Sequence, residues 1–176
     1  MHRRIAVASL AMLAALLGCT RTVDHVTMDA SRLVASPPSV RLACAYRLDG
    51  VVDARPAGDR AGGLGSHMFV FDDAPGVVRR ELAATGMATG GDAGTPVQVR
   101  LLQLYLTQNT ITKVPVVVLE VAPSGQAPFL VRAQKASMNW NGTQNEAYRA
   151  YADALSDATA QVALQLNARC AGASGG

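Results

Sequence analysis

Few residues in this sequence stand where their types and spacing could carry chemistry. Ser66-His67 sets a hydroxyl beside an imidazole, the first two parts of an activated nucleophile. The surrounding Gly62-Gly63-Leu64-Gly65-Ser66 is not the Gly-x-Ser-x-Gly elbow that lifts a serine onto a strand-to-helix turn. No Lys followed by Ser or Thr comes after those glycines, so they do not cradle phosphate as a nucleotide loop does. Asp72-Asp73 pairs two carboxylates, yet helix capping uses one and leaves the other in solvent. Asp53 and Arg55, two apart at a strand end, suit a surface ion pair or a contact with a partner. His25 and His67 lack ligand spacing to any cysteine, so no metal site is expected. The expectation is a chain without catalytic residues, cofactor or metal. What remains is Trp140, the only tryptophan, and three cysteines at positions 19, 44 and 170.

The cysteines depend on where the chain goes. Arg3 and Arg4 precede a 13-residue apolar run, Ile5 to Leu17, broken only by Ser9, and the small residue Gly18 follows. That is the layout of an export signal over residues 1–18, too short for a transmembrane helix. The full chain has 176 residues, with 16 Lys+Arg against 13 Asp+Glu. Removing the signal leaves 158 residues with 14 Lys+Arg against 13 Asp+Glu, so the basic character belongs largely to the discarded part. With that balance, no basic run and eight scattered aromatics, nucleic acid is not an expected partner.

Leu16-Leu17-Gly18-Cys19 resembles the lipobox of bacterial lipoproteins. The resemblance implies that the Cys19 thiol receives a diacylglycerol, that cleavage occurs before it, and that its amine is acylated with a chain such as palmitate. Two or three acyl chains, at ~0.8 kcal/mol per buried methylene, hold a protein on a membrane essentially permanently. Thr20, rather than Asp, after the cysteine implies sorting to the outer membrane, facing the periplasm. With Cys19 lipidated in an oxidising compartment, Cys44 and Cys170 are left as an even pair and are expected to form a disulfide.

These residues need elements to position them. Residues 19–38 show no sustained period and end in Ser36-Pro37-Pro38-Ser39, so they are expected to form a tether reaching roughly 60 Å when extended. Residues 39–170 then make one domain, and 171–176 a disordered tail. Val40, Leu42, Cys44, Tyr46 and Leu48 alternate with polar or small residues, predicting a strand with Cys44 on its buried side. Pro56 to Gly65 suits a glycine-rich flexible loop and Met68–Phe71 a short strand. Asp73, Pro75, Val77, Val78 and Leu82 predict a short helix stopping at Gly86. Val97–Thr107 and Ile111–Ala122 predict a hairpin, with Pro115 pushing the second strand toward an edge or bulge, and Phe129–Asn139 a third strand. Thr143 and Glu146 form a capping box ahead of an apolar stripe through Tyr148, Tyr151, Leu155, Ala158, Val162 and Leu166, which predicts a helix to about Ala168. Trp140 is expected to lie over the core as a lid or, as the second choice, to anchor a partner.

The predicted fold is α+β: an antiparallel sheet of about four to five strands against a long C-terminal helix and a short middle helix. This order behind the cleavage motif resembles the YajG-type periplasmic lipoproteins. Val51-Val52-Asp53-Ala54-Arg55, Gln103-Leu104-Tyr105 within Val99–Leu106, and Tyr148 onward carry the likeness. It spans most of residues 40 to 168. It departs in the short middle helix, the glycine-rich insertions and the extra cysteine pair. A second resemblance, through the late strand pair and Ala-rich terminal helix, is to PqiC-type auxiliary lipoproteins of lipid-transport ABC systems, whose middle-helix tryptophan is missing here. The function expected is that of a non-catalytic binding or accessory lipoprotein with an envelope protein partner. Its alternatives are the lipid-transport role, which calls for an acyl-sized groove between sheet and helix, and an immunity or inhibitor lipoprotein for a periplasmic enzyme, with a protruding loop such as Pro56 to Ser66 or Met87 to Thr95 carrying the binding residues.

Overall fold

The computed structural model describes residues 23–33, 37–56, 58 and 60–173. The export signal and Cys19 lie outside them. In chain order the elements are β1 (Asp24–Thr27), a 3-10 turn (Ala30–Arg32), β2 (Tyr46–Asp53), β3 (Arg60–Leu64), β4 (His67–Val70) and α1 (Ala74–Ala84). There follow β5 (Thr95–Gln108), β6 (Thr112–Pro123), β7 (Phe129–Gln134), β8 (Ser137–Met138) and α2 (Gln144–Ala173).

The expected hairpin and third strand form the centre of the sheet: β5 pairs antiparallel with β6, and β6 with β7. Along β5 the buried residues are Val97, Val99 and Leu101, then Leu104 and Leu106. The alternation changes phase because Leu102 is an extra residue, unpaired where the β5–β6 register shifts between Leu101 and Gln103. Without that bulge the one-residue offset would turn Leu104 and Leu106 out of the core. Pro115 is on a central strand, at neither the edge nor the bulge expected of it. Its neighbour on the far side is interrupted: β7 pairs with Val116–Val121 and β8 with Thr112 and Lys113, leaving no rung at Pro115. A residue with no N–H is tolerated where a ladder bond is not required.

The sheet has eight strands and is mixed, which corrects the expectation of four to five antiparallel strands. β2 and β3 run parallel to β5, and β1 parallel to β4. Two of the added strands come from segments with weak periodicity. The expected tether contributes β1 and the 3-10 turn, whose residues are tied to the body: Asp29 N donates to Tyr148 Oη (2.9 Å) and Arg80 Nη2 to the Ala30 carbonyl (2.8 Å). The expected flexible loop contributes β3, pairing Gly63 with Met68 and Leu64 with His67.

The first predicted strand is displaced in the other direction. Val40 to Ala45 is not a strand, because its backbone groups bond elsewhere: Leu42 N to the Thr85 carbonyl (2.9 Å), Ala43 N to Asn167 Oδ1 (2.8 Å), and the Arg41 carbonyl to Asn167 Nδ2 (2.9 Å). Cys44 lies beside that clamp and is bonded to Cys170, S–S 1.98 Å and Cα–Cα 6.4 Å.

Both helices pack on the sheet, α1 against β2 and α2 against β6 and β7. Asp73 caps α1, accepting from Gly76 N at 2.9 Å, and Asp72 is exposed. The predicted stripe of α2 is the core side of that helix, with Tyr151, Leu155, Ala158, Val162 and Leu166 fully buried. Burying each of the larger ones contributes about 1.5–3 kcal/mol. Tyr151 packs edge-on against Phe69 and Phe71 and donates its hydroxyl to the Ala61 carbonyl, so β3 and β4 are fixed to α2. The helix runs on to Ala173, beyond the predicted end.

Candidate functional site

One edge of β5 is covered by β6 along most of its length. On the other, β2 covers Thr95 to Leu101 and β3 touches at Leu106, which leaves Leu102 to Tyr105 without a strand partner on that side. The interruption arises because β2 ends at Asp53: Ala54 N still donates to the Leu101 carbonyl (2.9 Å), and the chain then turns away through Arg55 and Pro56 before returning at Arg60. A cleft of about 350 Å³ fills the gap, walled by Leu102, Leu104 and Tyr105 and by Arg55 and Arg60. Unpaired strand edges of this kind accept ligands and peptide segments.

Asp53 and Arg55 meet there as an ion pair of unusual placement. Arg55 donates from Nε to Asp53 Oδ1 (2.8 Å) and from Nη2 to Oδ2 (2.7 Å), and its own backbone N–H donates to Oδ1 (3.2 Å). The Arg55 side chain is only 3% exposed and that of Asp53 33%, so the pair is not the surface contact that the spacing predicts. Hydrogen bonds from the Arg55 side chain hold the Asp53 carboxyl below its ordinary value. Arg55 Nη1 is buried with no hydrogen-bond partner. A buried charged donor left unmade costs on the order of 1–3 kcal/mol. Arg60 adds a second cation at the exposed mouth. The site can therefore bind an anionic or acceptor group with apolar flanks.

The other residues singled out in the sequence lie apart from this cleft. His67 opens β4 with Nδ1 3.7 Å from Asp24 Oδ2, and the Ser66 carbonyl accepts from Asp24 N (2.9 Å), so the pair serves the β1–β4 junction. Among the described residues no group of three or more His, Cys, Asp or Glu could hold a metal, and no helix is long and apolar enough to cross a membrane.

Trp140 is 74% exposed and is not the core lid expected of it. The cause lies in the capping box: Glu146 accepts backbone N–H bonds from Trp140 (3.1 Å), Asn141 (3.2 Å) and Thr143 (3.0 Å), while Thr143 Oγ1 accepts from Glu146 N (3.3 Å). This pins the Trp140 backbone at the head of α2, with the ring out in solvent. The same three N–H groups, Thr143 foremost, together with Lys113 at 3.6 Å, lower the Glu146 carboxyl to about 2.

No protein-family model matches the sequence, and no curated protein does. Among solved structures, a Xanthomonas campestris protein of the family model DUF330 is similar with a TM-score of 0.53 at 10% identity, covering 86% of this chain and 99% of that one. At that identity the likeness is one of fold. A minor lipoprotein from Acinetobacter baumannii has a TM-score of 0.40 at 15% identity, over 71% of this chain and 95% of that one. Rare lipoprotein B from Shewanella oneidensis has 0.32 at 14%, over 70% and 95%. Both scores are too low to argue from.

Proposed function

We propose that the protein is a non-catalytic binding component of the bacterial cell envelope, held by acyl chains on Cys19 in the outer membrane and facing the periplasm. Its partner, an envelope protein, presents an acidic or carbonyl-rich segment to the cleft at the interrupted β5 edge. The observation that carries this reading is the apolar cleft on an open strand edge, lined by Arg55 and Arg60, with Nη1 of Arg55 buried and unpartnered. Asp53 orients the guanidinium, Arg55 binds, and Arg60 attracts. The lipobox-like Leu16-Leu17-Gly18-Cys19 supports the location.

Two alternatives receive less support. A lipid-transport auxiliary calls for an acyl-sized groove between sheet and helix, but that interface is filled by Tyr151, Leu155, Val162 and Leu166, each at 0–1% exposure. An inhibitor lipoprotein calls for a protruding loop such as Pro56–Ser66 or Met87–Thr95; Arg60–Leu64 of the first is instead paired in β3, while residues 88–93 of the second are exposed.

The test combines palmitate labelling of the wild-type and Cys19→Ala chains with photo-crosslinking from position 105 in the intact envelope. Label lost in Cys19→Ala, and a protein adduct lost in Arg55→Met, are expected. Capture of lipid alone at position 105 would overturn the partner reading.

A further inference from the structure

From where the chain leaves the fold, and from what surrounds that point, we infer that the end of the domain bearing Val23, Ile111, Met138 and Trp140 rests in the headgroup zone of the phospholipid bilayer. This rests on the reading of Cys19 as the lipid anchor.

Only Thr20, Arg21 and Thr22 separate Cys19 from Val23. Four Cα–Cα steps span at most about 14 Å, so an acylated Cys19 keeps Val23 within that distance of the membrane surface. Asp24 N donates to Ser66 O at 2.9 Å, so the exit point of the chain lies at the β3–β4 turn. Gly65 N donates to Gln108 Oε1 (2.8 Å), and Asn139 Nδ2 donates to the same oxygen (3.3 Å). Asn139 N donates to the Ile111 carbonyl (2.9 Å), Met138 pairs with Thr112, and Trp140 follows directly. One hydrogen-bonded chain of neighbours thus joins the emerging N-terminus to the tip of the β5–β6 hairpin and the head of α2.

At this end the exposures are Val23 49%, Ile111 65%, Met138 56% and Trp140 74%. These are four of the seven large hydrophobic residues exposed among the described residues, the others being Val52, Leu130 and Leu164. Placing them in water serves no fold requirement, since the Trp140 backbone is held by Glu146 whatever its side chain does. A tryptophan with an apolar body and one N–H donor suits the interface between headgroups and acyl chains, and the aliphatic neighbours suit shallow insertion. The long axis of β5 then rises from the membrane, with the Arg55 cleft about 10–20 Å above it, three to six residues along the strand from Gln108.

Trp140 is the only tryptophan, so its fluorescence reports this surface alone. The experiment reconstitutes the full-length mature lipoprotein into protein-free vesicles of phosphatidylethanolamine with a minority of phosphatidylglycerol. It measures Trp140 emission and its quenching by lipids brominated at defined depths, after mass spectrometry of the N-terminal peptide. The expected result is acylated Cys19, blue-shifted emission, and quenching strongest for bromines nearest the headgroup. Both optical signals should be lost in the Ile111→Asp/Met138→Asp double variant, whose changes are on the surface. Acylated Cys19 with water-like, unquenched Trp140 overturns this inference and leaves the anchor reading standing. Absence of acyl chains overturns both. Quenching unchanged in the double variant also overturns the inference. So does a Trp140 shielded in native membranes but exposed in protein-free vesicles, since that assigns the surface to a protein.

Discussion

Gly62 lies so close to Leu106 that a Cβ on it would sit 2.0 Å from the Leu106 carbonyl oxygen and 2.7 Å from its amide nitrogen. Its φ of +91° adds a backbone conformation that L side chains rarely adopt. This is the single register position at which β3 meets β5, and β3 in turn carries β4 and β1. Gly62→Ala should therefore cost more than about 2 kcal/mol, as strained backbone sites and overpacked contacts each do. Hydrogen exchange should show protection falling first in β1, β3 and β4. Loss spread evenly over β5–β7 would contradict this account.

Arg55 and Asp53 should respond unequally to substitution. Asp53→Asn leaves a buried guanidinium without its counter-charge and should destabilise by about 2–3 kcal/mol, somewhat less than a fully buried pair because Asp53 is part exposed. Arg55→Met removes the buried charge at similar volume and should cost under about 1 kcal/mol. Urea midpoints of the two single variants and the double variant measure the difference.

The Cys44–Cys170 bond closes a sequence separation of 126 residues. Loop-closure entropy for a ring of that size is worth about 5 kcal/mol, so the Cys44→Ala/Cys170→Ala variant should unfold at a much lower denaturant concentration. Asn167 continues to hold Arg41 and Ala43, so the fold itself should survive at neutral pH. Circular dichroism with and without reductant provides the comparison.

Glu146 gives the molecule an acid limb. Its folded carboxyl titrates at about 2, below the ordinary 4.5, chiefly because backbone N–H groups bond the ionised form. A depressed folded value means that the contribution is complete above about pH 4.5 and is lost as pH falls toward 2. Glu146→Gln should cost about 1 kcal/mol at pH 7, a typical capping value. It should flatten stability between pH 4.5 and 2, with the two curves converging at the acid end.

Tyr151→Phe should cost about 1–2 kcal/mol, because it leaves the buried Ala61 carbonyl without its donor while the ring contacts with Phe69 and Phe71 persist.

The elements legible in the sequence are those whose burial is periodic and whose partners are near in sequence. The β5–β6–β7 meander, α1 with its Asp73 cap and α2 with its Thr143–Glu146 box all belong to that class. The phase change from Val97, Val99 and Leu101 to Leu104 and Leu106 is also written in the sequence, and it marks the bulge at Leu102. β3 is not legible, because in Arg60-Ala61-Gly62-Gly63-Leu64 glycine is required by the approach of Leu106 rather than by a turn. Val40 to Ala45 alternates like a strand, but Asn167 and Thr85, distant in sequence, take its backbone bonds. For the site, the Asp53–Arg55 spacing is visible. The burial of Arg55 is not, since it depends on β2 and β3 leaving four residues of β5 uncovered between them.

The disulfide also sets how far the protein can stretch. If, as proposed, acyl chains hold Cys19 and a partner holds the body, a pull between them reaches β1 first, whose four rungs with β4 resist it together. Once these part and the contacts with Tyr148, Arg80, Thr85 and Asn167 release, the 25 residues from Cys19 to Ala43 can pay out. At ~3.3–3.6 Å per residue that is about 85 Å of line. At Cys44 the tension passes into β2 and the end of α2 together, across a covalent bond. The domain is thus a float on a line of fixed length, and reducing one bond removes the stop.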